Sequence, residues 1–509
     1  MREPRGRRRD GPAAAPGTRY RQWPIARLGG PAGELALGDG ARQAVAVATT
    51  RPEVLERETH HGAASRQRPV SRGSPRFWLG VAAAVVLGAA VRFVYLFHAA
   101  PAWVLGDGFD YHLRALRLAD GLGYTSALGN AGAETAQHPP AWVTLLAGVT
   151  EVGARSMRAH QITGLVIGLG VIVVAGLVGR RCAGARVGVI TALAAAIYPG
   201  FWVLDVQILS EPLSLVVGGL LMLVLFDLHD RPTLARAVLA GALAGLIALV
   251  RSEQLALLVI AVAPILLLNR GIAISRRVAW TGVATVAAVA AIAPWTLHNL
   301  GRFEEPVLLS HNLGPTLIAG NCPSTYGGDL MGGFDRECSE RVGLPPGLDR
   351  SERDVELRRA AFDNMRENVD RLPATVLARQ GRTLGVFRPV QTVERVASWL
   401  NTETWPIWAW VASFWLVVLL AAYGSLLVRR SKRFQWPLVA PAAIALVVVT
   451  ITAGDPRYHA PADLGFVVLA AVALDRLTRR HGGGTRPLLD PVAAVTAQLP
   501  REPVSAERG

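Results

Sequence analysis

The chain has 509 residues, is 51% apolar by composition and carries a formal net charge of +15. That apolar content fits a polytopic membrane protein better than a soluble one. All Lys and Arg side chains except Lys432 are arginines, many of them in the N-terminal tail and in short loops between apolar runs where topology explains them, so nucleic acid, which needs a basic patch on a folded domain, is not an expected partner.

Residues 1–75 are rich in Arg, Pro, Ala and Gly, lack a sustained apolar period and read as a disordered cytoplasmic tail. No apolar core follows Arg7-Arg8-Arg9 at the distance a signal peptide requires. Apolar runs that cross or nearly cross a bilayer then occur at about 77–98, 160–180, 186–204, 211–227, 233–250, 252–268, 278–298, 405–428, 436–452 and 461–475. With the N-terminus inside, the even-numbered runs end at Arg180-Arg181, Arg231, Arg270 with Arg276-Arg277, Arg429 to Arg433, and Arg476 to Arg480. These short basic clusters all fall on one side, as the positive-inside rule requires. The pattern predicts an all-α polytopic protein of about ten transmembrane helices in the plasma membrane, with both termini cytoplasmic.

Segment 139–153 cannot cross without moving every later basic cluster outside. It therefore reads as a juxtamembrane or re-entrant helix on the outer face, with Pro139 and Pro140 in its first turn. The expected organisation is a transmembrane core at 76–300 with a first outer loop at 99–159, an extracytoplasmic segment at 301–404, further transmembrane helices at 405–476, and a second disordered cytoplasmic tail at 477–509.

Polar residues gather at the outer junctions, where a membrane protein would otherwise avoid them. Asp107, Asp110 and Tyr111 follow the first run, on a short helix that Gly121 should stop. Asp110 is either a solvated helix-end residue or part of a site. Ser210-Glu211-Pro212 reads as a helix start with Ser210 as N-cap; Glu211 is then either a dipole partner or a site carboxylate. Arg251-Ser252-Glu253 interrupts a long apolar pair, either as a self-satisfied hairpin turn or as a phosphate or substrate contact. Asp455, Arg457, Tyr458 and His459 crowd one short outer turn, in which Arg457 has the paired donors that suit a phosphate. Cys322 and Cys338 share the outer segment, where a disulfide suits an oxidising exterior better than a metal site without zinc spacing. Cys182 reads as an inert free thiol.

Taken in order, these pieces resemble the GT-C class of integral membrane glycosyltransferases, and within it the protein O-mannosyltransferase-like and aminoarabinose-transferase-like enzymes of glycosyltransferase family 39. The residues that carry the resemblance are Asp107 and Tyr111 with Ala115, Leu118, Gly121, Gly123 and Tyr124; then His138-Pro139-Pro140, Ser210-Glu211, Arg251-Ser252-Glu253, Pro294-Trp295 with His298-Asn299, Gly320-Asn321, and Arg457-Tyr458. His298 stands where the family usually has arginine. The resemblance implies a GT-C fold and inverting transfer of a sugar from a polyprenyl-phosphate donor to a glycan, lipid or protein acceptor on the extracytoplasmic face. Asp107 would be the general base, its pKa raised by partial burial, and Arg457 and Arg251 would face the leaving phosphate. Asp110, Tyr111, His138, Glu211, Glu253, Asn299, Asn321, Tyr458 and His459 complete the expected substrate-binding set. No cofactor is assigned, although two acidic residues beside a phosphate are donors of the kind that hold a divalent ion. The competing reading is a transporter or flippase of lipid-linked sugars, which would place ionisable groups near span centres rather than at outer ends.

Overall fold

A computed structural model of the chain describes residues 75–128 and 131–481, so residues 1–74 of the tail expected at 1–75, and 482–509 of that expected at 477–509, lie outside the described residues, while 477–481 are helical. In chain order the helices are α1 (Pro75–His98), α2 (Gly106–Ala119), α3 (Pro140–Glu151), α4 (Met157–Ala183), α5 (Ala185–Ile197), α6 (Pro199–Asp205), α7 (Glu211–Asp230), α8 (Leu234–Ala248), α9 (Ala263–Leu267), α10 (Ile274–Leu300), α11 (Leu313–Gly320), α12 (Cys338–Arg341), α13 (Arg350–Glu367), α14 (Leu372–Thr383), α15 (Pro389–Trp399), α16 (Thr404–Arg430), α17 (Trp436–Ile451) and α18 (Ala460–His481). The architecture is all-α: among the described residues the only β pairing is an isolated bridge between Thr125 and Glu134.

Each predicted apolar run forms helix. Five helices (α1, α4, α7, α10 and α16) are long and apolar enough to cross a membrane, and α5 with α6 makes a sixth if that pair, bent by 53°, is one span. The bend falls at Pro199, whose missing N–H and ring cannot continue α5. Run 252–268 is equally irregular: a 3₁₀ turn (Ser252–Leu255) and a π-turn (Leu258–Val262) precede α9, with Pro264 inside. With α8 and α17 it makes a set of apolar helices too short to count by length alone. The count of ten is therefore not reached on length and composition. Segment 139–153 becomes the twelve-residue α3, Pro140 opening it and Pro139 before it.

One apolar core joins α1, α4, α5, α6, α16 and α18, and a second sits among α7, α8, α9 and α10. Backbones approach closely at small residues, as in membrane interiors. A Cβ on Gly424 would stand 1.9 Å from the Leu469 carbonyl, and one on Gly241 2.0 Å from that of Ala284. Between α1 and α6, fully buried Arg92 meets Asp205 at 2.7 Å. Gly164 and Gly168 of α4 leave the room that Asp205 fills.

The basic loops meet at one end of the bundle. Arg181 reaches Asp227 and Asp230, Arg186 reaches Asp475, and Arg433 donates to the Cys182 carbonyl. The opposite end carries α2, α3 and the segment α11–α15. There Cys322 and Cys338 form a disulfide within a small core that includes Leu317, Ile318, Leu357 and Ala361. The charged stretch from Ser351 folds as α13, started by Asp349, which accepts from the backbone of Ser351 and Glu352 while Glu352 answers in a capping box.

Candidate active site

Helix α2 enters against a wall that admits no side chain. Gly106 has φ +60° with the Trp399 indole where a Cβ would go, and a Cβ on Gly108 would lie 2.1 Å from the Gln207 carbonyl. Asp107 then sits in the first turn of the helix, where the dipole favours a carboxylate. Gly121 and Gly123, both at positive φ, turn the chain after α2. Tyr124 then donates to the carbonyls of His138 and Pro139 and fixes the loop that brings His138 back to α2.

The charges at this end form one chain. Arg457 Nη1 donates to Asp107 Oδ2 at 2.7 Å, and its Nε donates to Glu211 Oε1. Arg251 Nη1 donates to the same Glu211 oxygen at 2.7 Å, and its Nε to Glu253 at 2.6 Å. Two arginines thus share a buried glutamate, with Asp107 and Glu253 at the two ends. Asp455 caps the turn through the Arg457 N–H at 2.8 Å. On the α2 side, Arg114 holds Asp110 at 2.7 Å and donates to Thr135 and Gln137. His138 Nε2 lies between the two aspartates, 3.9 Å from Asp107 and 3.7 Å from Asp110, with the Tyr111 ring 4.6 Å away.

A cavity of about 780 Å³ opens over this chain, lined by Asp107, Asp110, Arg457 and Tyr458 from the predicted set. Tyr111, His138, Glu211, Arg251 and Glu253 stand behind or beside it through the contacts above. Three predicted residues point elsewhere. Asn299 is fully buried at the last turn of α10. Asn321 ties α11 to α17 and α14, donating to the carbonyls of Leu317 and Ile451 and accepting from Arg379. His459 is paired with Asp463 at 2.8 Å and stacked on Phe414. Ser210 precedes α7, but its hydroxyl makes no capping bond, against expectation.

The electrostatics also differ from expectation. Burial pushes the Asp107 carboxyl up, but Arg457, His138 and Arg336 overcome it and hold the group well below the usual carboxylate range, not above it. Burial lowers the His138 pKa against the pull of both aspartates. Arg457 and Arg251 are neutralised by carboxylates, so neither is a free cation.

Among the other residues lining the cavity, several that the sequence did not single out are cationic or aromatic: Arg336, Arg350, Arg382, Arg395 and Trp399. Arg336 and Arg457 lie over the Trp399 ring, 5.8 and 5.0 Å from its centroid. Arg382 and Arg395 donate to backbone carbonyls of residues 329–334. A second opening of about 480 Å³, lined by Leu105, Glu394 and Ser398, shares Gly106, Arg336, Arg395 and Trp399 with the first. The signal available in sequence was the aromatic-rich stretch around Trp399, hidden because segment 301–404 reads as water-facing.

For a metal, one group of three or more His, Cys, Asp or Glu donors among the described residues is close enough to share an ion: Cys322, Asp335 and Cys338. Its two sulfurs are bonded to each other, which removes the thiolates an ion would need. Asp107 and Glu211 are already neutralised by arginine.

Residues 137–298, about a third of the chain, match the family described as dolichyl-phosphate-mannose-protein mannosyltransferase. The resemblance to GT-C membrane glycosyltransferases is borne out on that segment. No curated protein matches. Among solved structures, the chain is similar to the archaeal oligosaccharyltransferase AglB from Archaeoglobus fulgidus in complex with an inhibitory peptide and a dolichol-phosphate (17% identity, 83% of this chain and 54% of that one, TM-score 0.46). It is also similar to ArnT from Cupriavidus metallidurans bound to undecaprenyl phosphate (17% identity, 81% and 79%, TM-score 0.39). The chain thus spans about half the length of the oligosaccharyltransferase.

Proposed function

We propose that the chain is an inverting glycosyltransferase that moves a hexosyl or pentosyl group from a polyprenyl-phosphate donor to a hydroxyl of a glycan, lipid or protein acceptor, on the extracytoplasmic face. The observation that carries this reading is Asp107: an ionised carboxylate lining a large cavity walled by arginines, at the loop-rich end of a bundle of membrane-length helices. The family match and the lipid phosphates named for ArnT and AglB support the donor class.

In the transfer, the acceptor oxygen attacks the anomeric carbon opposite the phosphate. The bond from that carbon to the phosphate oxygen breaks, the phosphate leaves with the electron pair, and Asp107 takes the hydroxyl proton. A carboxylate of low pKa suffices, because the hydroxyl becomes strongly acidic only as the new bond forms to an oxocarbenium-like carbon. The phosphate is met by the guanidinium of Arg336, which among the described residues makes no ion pair, rather than by Arg457 or Arg251. The second opening supports passage of a lipid tail, since exposed Trp103, Leu105, Trp405 and Trp408 lie near it in the chain, side chains of the kind that sit at a membrane surface. A flippase has less support, because the charge chain sits at one end of the bundle.

Membranes containing the chain, incubated with labelled polyprenyl-phosphate sugars, should pass label to an acceptor. Asp107→Asn should slow that transfer by about 10²–10⁴-fold, the usual contribution of a general base, with expression unchanged. Transfer at the wild-type rate by the variant would remove Asp107 from the mechanism.

A further inference from the structure

The segment from Cys322 to Cys338 doubles back and is closed covalently, its Cα atoms 6.2 Å apart across the disulfide. From inside this closed segment Leu330, Gly333, Phe334, Asp335, Arg336 and Glu337 reach the cavity. Its backbone is fastened from several sides. Arg382, 2% exposed, donates to the carbonyls of Met331 at 2.7 Å and Asp329 at 2.8 Å, and Arg395 donates to that of Phe334 at 2.5 Å. The Gly454 N–H donates to the Gly332 carbonyl at 2.9 Å, which joins the segment to the turn bearing Arg457. Next to Cys338, Asp335 accepts from Ser324 at 2.6 Å and from Arg341 at 3.0 Å.

Arg336 is what this fastening delivers. Among the described residues it makes no ion pair; its guanidinium faces the Trp399 indole and both cavities. It stands two residues from Cys338, so the place of its backbone follows the bond. Opening the disulfide would leave the segment held by hydrogen bonds and ion pairs without its covalent tie, and an exposed guanidinium on a long stem gains conformational freedom readily.

We propose that the Cys322–Cys338 bond is a positioning device of the transfer site, keeping Arg336 against Trp399 as the cation that receives the donor's phosphate. Cys322 and Cys338 act only through Arg336. The inference rests on the donor class proposed above.

The test measures binding of a short-chain polyprenyl phosphate to the purified full chain by calorimetry, with and without a phosphine reductant. Titration of the denatured protein should show the thiol count rising from Cys182 alone to all three cysteines. Reduction should weaken wild-type binding about tenfold, the loss of one charge-assisted contact. Arg336→Gln should bind about tenfold more weakly and not respond to reduction, a pattern that a merely structural disulfide would not produce. The variant carrying Cys322→Ser and Cys338→Ser should match it, and Arg336→Lys should recover part of the affinity. Arg336→Gln leaves the disulfide intact, so the test stands even if the serine variant does not fold. If reduction weakens Arg336→Gln as much as wild type, or leaves wild type unchanged with the bond open, the proposal is overturned and the donor class stands. If the wild-type chain binds no polyprenyl phosphate at all, both readings fall.

Discussion

Asp107 and Arg457 meet at 2.7 Å, and a pH profile should report that contact. Because the folded pKa of Asp107 is depressed, the favourable pairing is fully present above the ordinary carboxylate pKa and is lost only as pH falls through the folded value. In the wild-type enzyme Asp107 should add no acid limb between about pH 5 and 8. In Arg457→Gln, burial is no longer opposed by its main counter-charge, so an acid limb should appear at higher pH, read from log kcat against pH. A profile identical to wild type would separate Arg457 from the titration of Asp107. Asp107 was legible in the sequence because its place after a membrane exit, four residues before Tyr111, is a local pattern. The direction of its pKa was not, because the partner that sets it lies 350 residues away. His459 and Asn321 stand in equally suggestive local patterns, and only the packing turns them toward Asp463 and Arg379.

Among elements, the junction of α1, α4 and α6 is the most demanding. Arg92 and Asp205 are both within 1% of full burial, with Arg92 also donating to the Ala196 carbonyl at 3.0 Å. Removing one member of a buried pair leaves an uncompensated charge, which typically costs about 3–5 kcal/mol. Arg92→Met should therefore lower the unfolding temperature in detergent sharply, and adding Asp205→Leu should restore most of it. If the double variant is no more stable than the single, the pair is not the source of the loss. Where the apolar runs lie was readable from composition, and α3 was placed by counting charges. The break at Pro199 and the π-turn before α9 were less legible, because hydropathy averages over a bend and sees only that both halves are greasy.

At the scale of the molecule, the basic loops gather at one end and the cavity at the other. If the basic end is cytoplasmic, a cysteine at exposed Val369 should react with a membrane-impermeant maleimide on intact cells, while one at exposed Ser275 should react only after permeabilisation. The opposite pattern would invert the orientation proposed for the site.

The site is also assembled late. Asp107 leaves the ribosome 350 residues before Arg457, which at usual elongation rates is roughly 20–70 s. Glu211 waits 40 residues for Arg251 and 246 for Arg457. Throughout that interval the nascent chain holds Asp107, the proposed base, without the arginine that pairs with it, and Arg336 and Trp399 are added only in its later part. On the proposed function, translation keeps the site incomplete until the last helices are in place, and a chain stopped anywhere before residue 457 should transfer no sugar however well its early helices are inserted.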